Sequence, residues 1–425
     1  MAKLQLALDF IELDRAIAVA KAAEKYVDWI EAGTPLIKSC GLDCVRKLKK
    51  EFPEKKILAD MKIMDTGALE VEIAAKAGAD LVTVMGAADI STIREAIESG
   101  SRFGTEVVVD LLGVSPSRIK EIAMLSPAYL CLHIGIDQQM TGGSVLSAIH
   151  NLPKGIPFCA SGGLTKDTVG SAAKSGADVI VVGGAITKAS DPSSAAREIR
   201  AAIDTHQSKH VKKESVTSIL AKASTPNISD AMQRKGECTS FPIVLNFNPK
   251  DPKAEKIIGR ALTVRTFDGD WAKPVEAIDL ATNDTILVIS ASGCEKAIFG
   301  GLAAESAVQK KIKAVIIDGA CRDIDEILSL PLPLFAKVSC PTAGEPKGLG
   351  EINSEIVCGG AKVRTGDLIV IDATGIVVIP HEREYEIANR AVDVAEKEER
   401  LRAEIRAGST LSKVLKLARW EIPCA

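Results

Sequence analysis

The chain has no surplus of charge of either sign. Its 53 Lys and Arg against 56 Asp and Glu leave a net charge of −3, so no bulk basic field is available to hold nucleic acid. Long apolar runs are also missing. No stretch reaches the roughly 18 residues that a bilayer span requires, and no membrane segment is expected. The opening MAKLQLALDF passes straight into a strand-like segment and lacks the layout of a secretion signal. The ten cysteines are scattered. Only Cys40 and Cys44 lie close together, at helical spacing, while Cys131 and Cys159 sit inside apolar runs. That pattern points to reduced, mostly buried thiols rather than a disulfide frame or a zinc site. The expectation is a cytoplasmic enzyme. At 425 residues and 46% hydrophobic content, the chain is long enough for two domains with a core each.

The first half repeats one pattern, a short β-branched run followed by a longer helical stretch. The runs are LQLALD (4–9), WIEAG (29–33), KILADMK (56–62), LVTVMG (81–86), EVVVDLL (106–112), YLCLHIG (129–135), PFCASGG (157–163) and VIVVGGA (180–186). Stretches such as DRAIAVAKAAEKY and ALEVEIAAKAGA lie between them with helical periodicity. Eight such units predict a small (β/α)8 TIM barrel over 1–207, with an open doubly wound sheet as the alternative. A polar stretch, DTHQSKHVKKES (204–215), then breaks the pattern. His206 and His210 stand there at helical spacing without an acidic or cysteine partner nearby, so a linker over 208–220 is expected. Residues 221–425 mix strands (RALTVRTF, DTILVIS, AVIIDG, LIVIDATGIVVIP) with helices, an α/β domain. It ends in HEREYEIANRAVDVAEKEERLRAEIRAG, read as a solvated or oligomer-packing helix.

Barrels place their chemistry at the C-terminal ends of the strands. That position holds Asp9, Glu31, Asp60 with Lys62, Asp110, His133, the pair Gly162 and Gly163, and the pair Gly183 and Gly184. Acids at the same end of several strands are not expected of independent surface salt bridges. The glycine pairs close the seventh and eighth strands, where barrels commonly bind phosphate through backbone N–H groups.

Taken in order, LQLALD, EAGTP (31–35), LADMKIMD (58–65), GADLVTVMG, VVVDLLGV, LHIGIDQQ and SGGLT resemble the 3-hexulose-6-phosphate synthase family. It belongs to the orotidine-5′-phosphate decarboxylase group, whose signature is D-x-K-x-x-D. The resemblance covers essentially all of 3–205. The group also holds 3-keto-L-gulonate-6-phosphate decarboxylase, the rival reading. The H-x-G-x-D-x-Q pattern at 133–139 and Asp110, where the decarboxylase has Glu, favour the synthase. Met61 departs from the usual Ala. The resemblance implies aldol addition of formaldehyde to D-ribulose 5-phosphate, and its reverse, as in the ribulose monophosphate pathway. Glu31 and Asp60 would hold Mg²⁺ and Lys62 would stay charged between carboxylates, which opposes a Schiff base. Histidine titrates near neutrality, and His133 would carry protons. The second aspartate, Asp65, would enter the neighbouring subunit's site, which implies a dimeric barrel.

In the second half, TPNISDAM (225–232), FGGLAAESA (299–307), AVIIDGACRDIDE (314–326) and VRTGDLIVIDATGIVVIP (363–380) surround a G-x(20)-R-D-x-x-[DE] pattern. They resemble the 4-hydroxy-4-methyl-2-oxoglutarate aldolase family, whose fold is shared with the regulator of ribonuclease E activity. The resemblance spans roughly 220–382 and implies a metal-dependent site for a 2-oxo acid. Asp323 would anchor Mg²⁺ or Mn²⁺, Arg322 would meet a carboxylate or enolate oxygen, and Gly300 and Gly301 would offer backbone N–H groups to an anion. A non-catalytic binding domain is the alternative, although that regulator typically lacks the acid after Arg. Family members assemble as trimers or larger rings, so a homo-oligomer is expected.

Overall fold

The computed structural model describes residues 1–149, 152–153, 155–208, 214–239, 241–247 and 256–415. It divides into two compact units, Met1–Lys213 and Glu214–Ala425. His210 lies outside the described residues.

In the first unit, β1 (Lys3–Leu8), β2 (Trp29–Ala32), β3 (Lys56–Ile63), β4 (Leu81–Met85), β5 (Glu106–Asp110), β6 (Tyr129–His133), β7 (Phe158–Ser161) and β8 (Val179–Val182) close into a barrel. Every neighbouring pair is parallel, and β1 closes the ring on β8 with Lys3 opposite Val179. The two-residue period of a strand sends alternate side chains to opposite faces. Leu4, Leu6 and Leu8 therefore pack outward, in one cluster with Ala16, Ile17 and Ala20 of the helix Leu13–Ala23. Ala7, Leu58, Val108, Cys131, Cys159 and Val181 fill the interior. Each large apolar side chain buried this way contributes about 1.5–3 kcal/mol before ordering costs. The alternation also carries one polar residue from most strands to the C-terminal rim. Met61 packs against the outer core. Cys40 and Cys44 fall on successive helices, Thr34–Cys40 and Asp43–Glu51, parted by Gly41 at φ +61°.

The second unit is built on a ten-stranded mixed sheet among the described residues. Its strands are β9 (Glu237–Cys238), β10 (Ile243–Leu245), β11 (Ile257–Thr266), β12 (Thr285–Ala291), β13 (Ala297–Phe299), β14 (Ala314–Cys321), β15 (Leu334–Ser339), β16 (Glu351–Ile352), with β19 (Leu368–Asp372) and β20 (Gly375–Ile379) following the separate hairpin β17 (Ile356–Cys358)–β18 (Ala361–Val363). The order is β10-β15-β14-β12-β11-β19-β20-β9, with β13 beside β14 and β16 beside β11. Strands β11, β12, β14 and β15 run parallel.

Two expectations change here. LIVIDATGIVVIP is not one strand but the antiparallel pair β19–β20, with Asp372 opposite Gly375. Asp372 also accepts from Thr374 N–H, and that Asx contact turns the chain. Residues 216–220, placed in the linker, form a helix whose Ile219 and Leu220 are buried in the second unit. The charged helix forms at Glu384–Arg406, and its first turns bury Ile387, Ala388 and Ala391.

Candidate active site

Strand ends assemble one chamber at the barrel's C-terminal rim. Its upper wall carries Glu31, Asp60, Lys62, Asp110, His133 and Ser161, over a floor of Leu58, Val108, Cys131, Cys159 and Val181. Glu31, Asp60 and Asp110 are 8%, 5% and 2% exposed, so their surroundings are protein groups rather than bulk water.

Lys62 lies at a break in the β3–β4 register and has a left-handed backbone at φ +49°. Such a conformation is costly for a non-glycine residue and is typically retained where geometry serves function. The Lys62 N–H donates to Thr83 Oγ1 at 3.0 Å. Its Nζ donates to Asp110 Oδ2 at 2.7 Å and to Asp60 Oδ1 at 3.2 Å. Burial pulls the ammonium pKa down, but Asp60 and Asp110 outweigh it and raise it above that of a free lysine.

Asp110 Oδ2 also takes His133 Nδ1 at 2.8 Å, and Oδ1 accepts Leu112 N–H at 2.9 Å. Burial opposes the charge of Asp110, yet His133 and Lys62 hold its carboxyl down to about 2. An ionised carboxylate only accepts, so Nδ1 carries a proton at this contact, and Nε2 is the ring nitrogen that Asp110 does not engage.

Asp60 is clamped on both oxygens, by Thr34 Oγ1 at 2.6 Å and Thr83 Oγ1 at 2.8 Å. Glu31 Oε2 accepts from Gln5 Nε2 at 2.5 Å. Burial first, then Asp60 and Asp9, push the Glu31 carboxyl well above its usual range. Asp9 stands at the mouth, where desolvation first and then Asp60 raise its carboxyl as well. Gly33 lets Asp9 in, because a Cβ there would lie 2.3 Å from Asp9 Oδ1. Gly162 and Gly163 follow β7 at φ +115° and +64°. Gly183 and Gly184 follow β8 and open the short helix Gly184–Thr187.

The chamber thus unites Glu31, Asp60, Lys62, Asp110 and His133, with Asp9 at its mouth. Asp65 is not among its lining residues. It is exposed, and its carboxylate accepts the N–H of Thr66. Sequence reasoning missed Gln5, Thr34 and Thr83. A polar residue at an inward position of an apolar strand was the available signal for Gln5 and Thr83.

In the second unit, Arg322 and Asp323 follow β14, and Gly300 and Gly301 follow β13 into the helix Gly301–Gln309. Asp323 has φ +57°, and its Oδ2 lies 3.2 Å from Arg322 Nε. The Gly301 N–H, expected to face an anionic ligand, instead donates to Asp323 Oδ2 at 3.0 Å. Both glycines are sterically required. A Cβ on Gly300 would lie 2.5 Å from Asp323 Oδ2, and one on Gly301 1.9 Å from Glu326 Oε2. The four predicted residues are brought together, with Glu326 beside them. Among the described residues, neither unit gathers three metal-ligating side chains into one cluster.

A closed parallel barrel with a lysine held between buried aspartates, and a histidine oriented by one of them, gathers its polar side chains at the rim where (β/α)8 enzymes carry their sites. Residues 2–199 match the family model described as Orotidine 5'-phosphate decarboxylase / HUMPS family. Curated 3-hexulose-6-phosphate synthases are similar: that of Mycobacterium gastri is 44% identical over 47% of this chain and 99% of its own length. That of Bacillus subtilis is 39% identical over 47% and 97%. A crystal structure of a 3-hexulose-6-phosphate synthase, 44% identical, covers 47% of this chain and 99% of its own, at a TM-score of 0.46. The chain belongs to the 3-hexulose-6-phosphate synthase family through its N-terminal unit, and it is a lyase. Residues 225–378 match the Aldolase/RraA family model, so the chain is a fusion of two family types.

Proposed function

We propose that the barrel joins formaldehyde to C1 of D-ribulose 5-phosphate, giving D-arabino-3-hexulose 6-phosphate, and also runs the reverse. The carrying observation is Asp110 Oδ2, which receives both Lys62 Nζ and His133 Nδ1. That contact fixes a cation and a base side by side over one chamber. Identities of 39–44% to named synthases support the substrate pair.

In this reading His133 Nε2 takes the C1 proton and later returns it to the new hydroxyl. Lys62 donates to the oxygen on which negative charge develops, a role that suits a lysine held charged by two carboxylates. Asp110 orients both. The loops at Gly162, Gly163, Gly183 and Gly184 hold the phosphate through backbone N–H groups. The donor set fits Mg²⁺: Glu31 and Asp60 are hard oxygen ligands, and Asp9, Glu31 and Asp60 crowd negative charge that Lys62 alone does not balance. Two carboxylates suffice for an ion that usually keeps several waters. When bound at Glu31 and Asp60, Mg²⁺ supplies positive charge to the substrate oxygens. Asp65 serves the chamber of a second copy. Met64, Leu69 and Ile73, exposed to 53%, 58% and 40% beside it, support an apolar dimer contact there.

Formaldehyde-dependent consumption of ribulose 5-phosphate, with Mg²⁺ and with a chelator, tests the reading. No turnover by the wild type, or full turnover by Asp60→Ala, sinks it.

For the second unit, the reading is a metal-dependent lyase acting on a 4-hydroxy-2-oxo acid. Asp323 holds Mg²⁺ or Mn²⁺ and Arg322 meets the acid's carboxylate. The acid following Arg322, together with the Aldolase/RraA match, supports retained chemistry. Pyruvate release from such acids by wild type and by Asp323→Ala is the check, and equal rates remove the metal assignment.

A further inference from the structure

Gln5 is an anomaly in the barrel interior. It is 3% exposed, and its lateral neighbours on β2 and β8 are Trp29 and Val181. Interior neighbours of that kind favour an apolar side chain, and a buried amide is disfavoured unless each polar atom is satisfied. Here only half is. Nε2 donates to Glu31 Oε2 at 2.5 Å, while Oε1 is buried with no hydrogen-bond partner. An apolar residue of equal size would remove that orphan acceptor, so the fold alone gives no reason for an amide.

The reason lies in what Nε2 touches. Glu31 is a flexible side chain at the end of β2, next to Asp60 and Asp9, which repel it. Asp60 is pinned on both oxygens by Thr34 and Thr83. Glu31 has no such pair of hydroxyls, and among the described residues Gln5 alone donates to it from a side chain. An amide is neutral, so it can hold one oxygen without cancelling the charge that a cation needs. A lysine there would neutralise the carboxylate, and a leucine would let it swing.

We infer that Gln5 is a positioning residue, which fixes one oxygen of Glu31 so that the other is presented with Asp60 to a divalent cation. The inference rests on the reading of Glu31 and Asp60 as the Mg²⁺ ligands. Residues that orient metal ligands typically change metal affinity about 10–100-fold when removed. A purely structural amide would instead change the stability of the metal-free barrel.

The two roles separate in Gln5→Met, which keeps the volume and removes the polar atoms. Three readouts are needed on the full chain: Mg²⁺ affinity by calorimetry, the thermal midpoint in excess chelator, and turnover as Mg²⁺ is raised. The expected result is Mg²⁺ binding weakened about 10–100-fold and a metal-free midpoint equal to or above wild type. Turnover should be lost at low Mg²⁺ and largely restored at high Mg²⁺. In a Glu31→Gln background the same substitution should have no further effect on Mg²⁺ binding. Unchanged affinity overturns the inference, as does a loss of affinity in step with a lowered metal-free midpoint. Failure of both Gln5→Met and Gln5→Leu to fold overturns it too, because the amide would then be a requirement of the barrel. If the wild type itself binds no Mg²⁺, the metal reading falls and takes this inference with it. If the wild type binds and Gln5→Met binds equally, only the inference falls.

Discussion

Asp110 Oδ2 serves two donors at once, so Asp110→Asn both frees the imidazole and leaves Lys62 short of a counter-charge. We expect kcat to fall about 10²–10⁴-fold, measured as formaldehyde-dependent ribulose 5-phosphate consumption. The same carboxyl makes stability depend on pH. Its folded value of about 2 lies below the ordinary aspartate value of about 3.9. Its contribution, roughly 2 kcal/mol, is therefore fully present above pH about 4 and lost as pH falls through about 2. Urea midpoints of wild type and Asp110→Asn should converge over that window. Thr83→Val removes a hydroxyl that donates to Asp60 and accepts from the Lys62 N–H. Leaving that N–H unpaired should cost about 1–3 kcal/mol and lower turnover, read by urea melts and the same assay. The acids of this chamber were legible in the sequence because charge at the end of an apolar strand stands out. Gln5 and Thr83 carried only the weaker signal of a neutral polar residue at an inward strand position, and Thr34, beyond its strand, carried none. Nor does any residue pattern announce the left-handed backbone at Lys62, which arises where the β3–β4 register breaks.

At the scale of elements, two-residue alternation sufficed for the eight barrel strands, whose observed bounds fall within a few residues of the apolar runs. It failed at LIVIDATGIVVIP, where Ala373 and Thr374 carry no strong turn signature and the bend depends on an Asp372 side-chain contact. It failed again at 216–220, a five-residue helix that is capped by the Ser215 side chain and stabilised by burial of Ile219 and Leu220. The loop after β7 leaves no room for a larger residue at Gly162. A Cβ on Gly162 would lie 2.3 Å from the Ile134 carbonyl oxygen, on a backbone at φ +115°. Gly162→Ala should therefore destabilise the barrel by more than about 1 kcal/mol and raise the KM for ribulose 5-phosphate. Chemical melts and initial rates at varied substrate check the two halves of that expectation.

The whole molecule carries separate cores in its two units. Calorimetry of the full chain is expected to resolve two transitions. Mg²⁺ with ribulose 5-phosphate at a hundredfold of its Kd should stabilise the barrel's alone, by about 2.7 kcal/mol. A shared site between copies predicts that Lys62→Ala and Asp65→Ala, each inactive, regain about a quarter of wild-type turnover when dissociated and reassociated at equal amounts. No recovery in a verified mixed dimer rejects the shared site. The strand arrangement has one more consequence, for how such a tandem reaches its folded state. Two β-rich segments on one polypeptide meet at high effective concentration while both are still incomplete, and unpaired strand borders are where mispairing begins. The barrel, once closed, exposes no border at all. Among the described residues, the sheet of the second unit ends on β9 and β10, stubs of two and three residues. Neither offers a template long enough to capture a neighbour's strand, so either half can mature beside the other without becoming its misfolding partner.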